Sequence, residues 1–309
     1  MQPAVVFQQL FRDVLARQVE YSYSDAGDTY TTMVPLRMHL VPLVTELAET
    51  MPFAGDWAWG VARAANAIQP DQILFRMDWR LPGPGLPAVH SEAIAATMYC
   101  RFPVEPDATA FQAAAGYARP FRWSGPAPSS VAAAMGVPGP RGIAFRVSQS
   151  GRLRTALYFR SNEHAGGSWT ERLTALLSAC QYPGELAETI ERDLKGLYRP
   201  GPVGVIGIDE GQDGAAGAVK FDPSNVPSGT ALAFLARAGA APGRIEALRR
   251  IAVGFRADSV SYAGVQYGPA GLSGWRLYFA CEPGYARRPG QLAVEWQRNL
   301  RPVRRLPHH

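Results

Sequence analysis

Apolar and polar residues alternate along ten short segments of the chain, and helical spacing takes over between successive pairs of segments. The first pair is QVEYSYS (18–24) and TYTTMVPLRM (29–38), joined by DAGD. QILFRMDWRL (72–81) and AIAATMYCRF (93–102) follow, joined by a loop rich in Pro and Gly. RGIAFRVS (141–148) and RLRTALYFR (152–160) meet across Ser-Gly, a tight-turn signal. VGVIGIDE (203–210) with GAVKF (217–221), and SVSYAGVQY (259–267) with SGWRLYFA (273–280), complete five predicted hairpins. Helices are predicted near 40–50, 57–67, 107–117, 168–178, 184–197, 228–239, 243–255 and 289–300. A Pro/Gly/Ala-rich excursion occupies 119–140, with a small helix around 129–135.

Strands joined by short hairpins are antiparallel, which argues against a doubly wound parallel sheet. Ten such strands with helices between pairs can close into one barrel and so remove their edges. The predicted fold class is therefore α+β: a ten-stranded antiparallel β-barrel with helices outside. No linker divides the chain, so residues 1–300 are expected to form a single domain, with 301–309 a basic flexible tail.

A period of two assigns each strand an apolar and a polar face. In 152–160, Leu153, Thr155, Leu157 and Phe159 oppose Arg152, Arg154, Ala156, Tyr158 and Arg160. Trp275, Leu277 and Phe279 oppose Arg276, Tyr278 and Ala280; Val219 and Phe221 oppose Ala218 and Lys220. In the second block Ile73, Phe75, Met77 and Trp79 oppose Leu74, Arg76, Asp78 and Arg80. The apolar faces suit packing against helices. The polar faces either line a lumen or, in an open sheet, lie in water.

One position recurs about every sixty residues. Arg101, Arg154, Lys220 and Arg276 each sit in the second strand of a hairpin, and the centres Tyr99, Tyr158, Lys220 and Tyr278 are 59, 62 and 58 residues apart. Such a period marks a copied supersecondary unit. Each copy offers a cation, so a shared anionic ligand is expected.

Composition narrows the classes. The net charge of +5 and the pI near 9.2 favour anionic ligands without demanding nucleic acid. Much of the basic excess lies at Arg287, Arg288, Arg298, Arg301, Arg304 and Arg305, near the end of the chain. Cys100, Cys180 and Cys281 are widely spaced with no CxxC, which gives neither a disulfide framework nor a zinc site and fits a reducing cytoplasm. Phe7, Leu10, Phe11, Val14 and Leu15 fall on one helical face, unlike a signal peptide, and no apolar run is long enough to span a membrane. His39, His90 and His164 are not spaced as metal ligands, and no GxSxG elbow or Walker loop appears.

Arginine forks and lysine ammonium groups bind phosphate oxygens, and tyrosine hydroxyls add neutral donors. Aromatic faces also stabilise a carbocation. Arg76, Arg101, Arg154, Lys220 and Arg276 with Tyr99, Tyr158 and Tyr278 therefore suit ionisation of an allylic diphosphate: the cations hold the leaving pyrophosphate, and the rings shield the allylic cation. Arg80 is a further candidate cation, Asp78 an ion-pair partner for these arginines, and Asp209 a further inner-face acid.

The chain resembles the ABBA prenyltransferases, whose fold of αββα repeats is the PT barrel with its site in the lumen. Within them it is most similar to the cyanobactin-type (F family) enzymes that modify ribosomal peptides. The resemblance covers about residues 18–281. Asp78-Trp79-Arg80 looks like the family's Asp-x-Arg strand end, and Tyr99-Cys100-Arg101-Phe102 stands where the family has a Lys-x-His pair. Ala263-Gly264-Val265 followed by Trp275-Arg276-Leu277-Tyr278-Phe279 looks like its closing hairpin. Val19-Glu20-Tyr21-Ser22 resembles its first strand, where a glutamate is the proposed base. The first hairpin is short, Tyr99 and Arg101 replace the Lys/His pair, and 119–140 has no counterpart.

The resemblance implies transfer of dimethylallyl or geranyl from its diphosphate to a peptide nucleophile. Glu20 and Asp78 would be the catalytic carboxylates, and Mg2+ would be held through the diphosphate. A small aromatic acceptor (indole, phenol or phenazine) is the alternative. A non-catalytic anion-binding module with an open sheet is another. No nucleic-acid or membrane partner is expected.

Overall fold

The structure, a computed structural model, describes residues 20–24, 29–36, 55–68, 72–80, 92–102, 123–159, 168–197, 205–211, 215–254 and 257–280. The expected helices near 40–50, 107–117 and 289–300, the amphipathic start, Arg160, Cys281 and the basic tail lie outside these residues.

The alternating segments form strands as expected. These are β1 (Glu20–Ser24), β2 (Thr29–Leu36), β3 (Gln72–Arg80), β4 (Glu92–Arg101), β5 (Gly142–Ser148) and β6 (Leu153–Phe159). The series continues with β7 (Ile206–Glu210), β8 (Ala216–Phe221), β9 (Ser224–Pro227), β10 (Ser259–Gly268) and β11 (Gly271–Ala280). Each of β1 to β7 pairs antiparallel with the next, β8 pairs with β10, β10 with β11, and β11 with β1. The sheet is thus curled and antiparallel, and its pairings return to their start. β9 is an addition to the predicted ten: it borders β10 through Val226↔Val260. Its four residues follow Pro223 and end on Pro227, so its sequence reads as a turn rather than a strand.

Strand parity separates two layers. Phe145, Phe159, Phe221, Phe279 and Tyr267 are buried in the apolar core on one face of the sheet. Each such ring contributes about 1.5–3 kcal/mol by leaving water. Six described helices accompany the sheet: α1 (Gly55–Ile68), α2 (Pro128–Met135), α3 (Trp169–Ala179), α4 (Leu186–Leu197), α5 (Ser228–Arg237) and α6 (Pro242–Gly254). α4 buries Ala187, Ile190, Leu194 and Leu197, spaced three or four apart on one helical face. α3 starts on a capping box in which Ser168 and Glu171 satisfy each other's backbone N–H.

The opposite face is different in kind. Ala95, Ala144, Ala156 and Ala218 are buried yet stand apart from that apolar core. They alternate with the charged and tyrosine positions, so small side chains leave room for large polar ones. We call this the inner face. The 119–140 excursion is docked against the fold where it is described. Ser124 donates from N and Oγ to Glu210 Oε1 at 2.9 and 3.0 Å, and α2 buries Val131, Ala132 and Met135.

Candidate active site

The inner face is organised by backbone register. Residues paired directly across antiparallel strands share a face. One row runs Ala280, Glu20, Met33, Arg76, Thr97, Arg146, Arg154 across seven strands from β11 to β6. A neighbouring row runs Tyr262, Tyr278, Ser22, Thr31, Asp78, Ala95 and Ser148. A third links Arg101, Gly142, Tyr158, Gly207 and Lys220. All five predicted cations thus fall on this face; Arg276 lies one level beyond the second row, opposite Gly264 and Ser24.

Asp78 is the centre of the site. Its side chain is 4% exposed and meets three guanidinium groups: Arg76 at 3.1 Å, Arg146 at 2.9 Å and Arg276 at 3.3 Å. Burial alone would raise its pKa; Arg76, Arg276 and Arg146 outweigh burial and hold the carboxyl well below the usual carboxylate range. Burial likewise opposes the charge of Arg76, and Asp78 beside it reverses the sign, so that guanidinium is held charged. For Arg146, burial lowers the pKa, and repulsion from Arg76 and Arg276 adds to it against the pull of Asp78. Three guanidiniums thus converge on one carboxylate on the inner face. Asp78 therefore serves this geometry as an ion-pair anchor. A carboxylate so engaged is a poor proton acceptor.

Aromatic donors flank the cluster. Tyr278 and Tyr262 meet edge to face at 6.0 Å, and Tyr99 meets Tyr158 the same way at 5.1 Å. Burial raises the Tyr158 pKa beyond the ordinary phenol range and pushes Tyr278 up to about 12, so both stay neutral donors at physiological pH. The Tyr99 ring crosses Gly142, where a Cβ would stand 2.5 Å from the phenol oxygen; only glycine permits that approach. Thr97 Oγ1, between Arg76 and Arg146 in register, is buried without a hydrogen-bond partner.

The remaining predicted residues divide. Lys220 Nζ donates to Asp209 Oδ1 at 2.6 Å, so this cation belongs to a pair. Arg154 shares the row but is exposed. Arg101 is half-buried one strand from Gly142. Glu20 is placed by register opposite Ala280 and Met33, two strands from Arg76. Arg80 is opposite Thr29 and Glu92, at the strand end.

Two residues escaped the sequence reading. Arg146 lies in the first strand of its hairpin, whereas the recurring cations occupy second strands; the tight Ser-Gly turn, which sets it opposite Arg154, carries the signal. Asp222 follows Lys220 by two positions and so shares its parity, but Pro223 marked the end of the strand there. Burial pushes its carboxyl up to about 6, against the pull of Lys220, Arg76 and Arg276. Cys100 and Cys180 are buried free thiols, each pushed up to about 12 by burial, which leaves them unreactive at neutral pH.

No protein-family model and no curated protein matches the chain. Solved structures do. The 6-dimethylallyltryptophan synthase from Micromonospora olivasterospora, in complex with DMASPP and Trp, aligns over 88% of this chain and 82% of its own at 15% identity, with a TM-score of 0.55. The 5-dimethylallyltryptophan synthase from Streptomyces coelicolor aligns over 87% and 82% at 12% identity and 0.53. AnaPT from Neosartorya fischeri aligns over 87% and 79% at 12% and 0.54. The chain shares with them a fold of helices and a curled antiparallel sheet. The narrower likeness to peptide-modifying cyanobactin-type enzymes is not carried by these matches.

Proposed function

We propose that this protein is a prenyltransferase that moves an allylic isoprenoid from its diphosphate to a small aromatic acceptor, inside a ten-stranded PT barrel closed by the β11–β1 and β10–β11 pairings. The observation that carries this reading is the Asp78 cluster. It gathers Arg76, Arg146 and Arg276 around a single carboxylate, beside a neutral phenol on the same face. Guanidinium groups fixed in advance bind the departing pyrophosphate without reorganising, and this stabilises charge as the C1–O bond breaks. Tyr278, Tyr158 and Tyr99 would line the path of the allylic cation and exclude water from it. A fold shared with a structure solved with DMASPP and Trp supports a diphosphate donor and an aromatic acceptor over the peptide acceptor expected from the sequence.

Magnesium would be bound through the diphosphate oxygens. Among the described residues no group of three or more His, Cys, Asp or Glu side chains is arranged to hold a metal ion. Asp78, a buried inner-face acid, is already engaged by arginines. Glu20 remains a candidate acid on the Arg76 row. Among the described residues no helix is long and apolar enough to cross a membrane.

The test is incubation with dimethylallyl and geranyl diphosphates, magnesium, and panels of indoles, phenols and short peptides, read by mass spectrometry. A prenylated indole or phenol is expected. A prenylated peptide alone would restore the peptide reading, and no product with any donor would refute the reaction.

A further inference from the structure

We propose that Asp222 is the carboxylate that receives the acceptor's proton. The inference rests on the prenyl-transfer reading above and names the group that completes it.

Asp222 immediately follows β8, and its N–H donates to Val205 O at 3.1 Å, which fixes the backbone. A Cβ at Gly264 would lie 2.6 Å from Asp222 Oδ1 and 3.5 Å from the Tyr278 ring. The carboxylate therefore rests on β10 at Gly264, beside Tyr278, and Gly264 is paired directly opposite Arg276. Any residue other than glycine at 264 displaces it.

The inner-face acids differ in their partners. Asp78 is held by three guanidiniums and Asp209 by Lys220 at 2.6 Å. Asp222 makes no side-chain hydrogen bond or ion pair among the described residues. Lys220 on β8, Arg76 on β3, Arg276 on β11 and Asp209 on β7 act on it through space, and it acts in turn on Tyr158 of β6 and Tyr278 of β11. Burial pushes its pKa up to about 6, so at neutral pH it is ionised yet basic enough to take a proton. A half-buried carboxylate without a bonded partner among the described residues, next to a cation cluster that would hold the leaving group, has the lone pairs and the driving force for that step.

The step balances without a further reactant. The C1–O bond breaks and its electron pair leaves with pyrophosphate on the arginines. The acceptor's nucleophilic atom forms the bond to C1, and the proton it sheds passes to Asp222 Oδ. This requires an acceptor that keeps its proton until it is alkylated, such as a neutral indole or phenol.

Asp222→Asn and Asp222→Glu are compared with the parent by donor-analogue binding and by the pH dependence of transfer. Transfer by the parent should fall tenfold per pH unit below about 6. In Asp222→Asn it should drop about 100-fold or more and lose that acid limb, with Asp222→Glu partly restoring both. Dimethylallyl thiolodiphosphate should bind Asp222→Asn at least as tightly as the parent, since one negative charge near the cluster is gone; a collapsed site would bind it less. Gly264→Ala keeps the carboxylate but moves it and should also lower transfer. Transfer by Asp222→Asn within threefold of the parent, or an unchanged acid limb, overturns the proton-acceptor role alone. Absence of transfer in the parent overturns it together with the reaction.

Discussion

Arg276 of β11 and Asp78 of β3 lie 198 positions apart and meet with Nη1 3.3 Å from Oδ1. This contact joins the last strand to the third across the inner face, and Arg76 and Arg146 close on the same carboxylate. Charge and fold are coupled here. On the proposed reading, the anion that gathers the arginines also sets where a second, larger anion would be bound.

Removing the anchor should therefore cost stability before it costs chemistry. Asp78→Asn removes the carboxylate that three guanidiniums share. A loss of about 3–5 kcal/mol is expected by urea unfolding at neutral pH. Pyrophosphate should recover part of it by supplying the missing charge. The pKa of Asp78 is lowered in the fold, so its contribution is complete above about pH 4 and is lost as the pH falls through its lowered value.

Asp222 should act in the opposite direction. Its folded pKa is raised to about 6, so the folded state favours the protonated acid. The penalty for ionising it grows from about pH 4 to pH 6 and is constant above. Asp222→Asn should accordingly stabilise the protein at pH 7.5, by up to about 3 kcal/mol, and have little effect at pH 4. Thermal melts at the two pH values check this, and equal stabilisation at both would contradict it.

The exposed end of the arginine row gives a contrast within one strand pair. Arg146 reaches Asp78 at 2.9 Å, whereas Arg154, directly opposite it, is exposed. Arg146→Ala should weaken donor-analogue binding about 10- to 100-fold, the range for a charge-assisted hydrogen bond. Arg154→Ala should change it less than threefold. Titration of both variants at one ionic strength measures the difference.

Gly142 is a packing test of the tyrosine wall. Gly142→Ala places a methyl group against the Tyr99 phenol and should destabilise by about 1–3 kcal/mol, as overpacking does. Tyr99→Ala in the same chain should remove most of that penalty.

Much of this arrangement is legible in the sequence. Alternation in RLRTALYFR and WRLYFA assigns Phe159, Leu277 and Phe279 to the apolar core and Tyr158, Arg276 and Tyr278 to the inner face. The period of two is local, so it reads reliably. It does not say which inner-face charges meet, because that depends on how the strands curl. Lys220 carried the same sequence signal as Arg276 but is tied to Asp209, and Arg154 lies too near the strand end to be enclosed. Arg146 and Asp222 needed register as well as parity: one through a turn, the other through a glycine on a strand distant in sequence.

The central claim, that the arginines around Asp78 hold a diphosphate, is tested most directly by calorimetric titration of dimethylallyl thiolodiphosphate into the parent and into the Arg146→Ala/Arg276→Ala protein. Saturable one-site binding by the parent, weakened at least 100-fold in the double variant while the melting transition stays cooperative, is the predicted result. Equal affinity in the two proteins, or no binding by the parent, would contradict it.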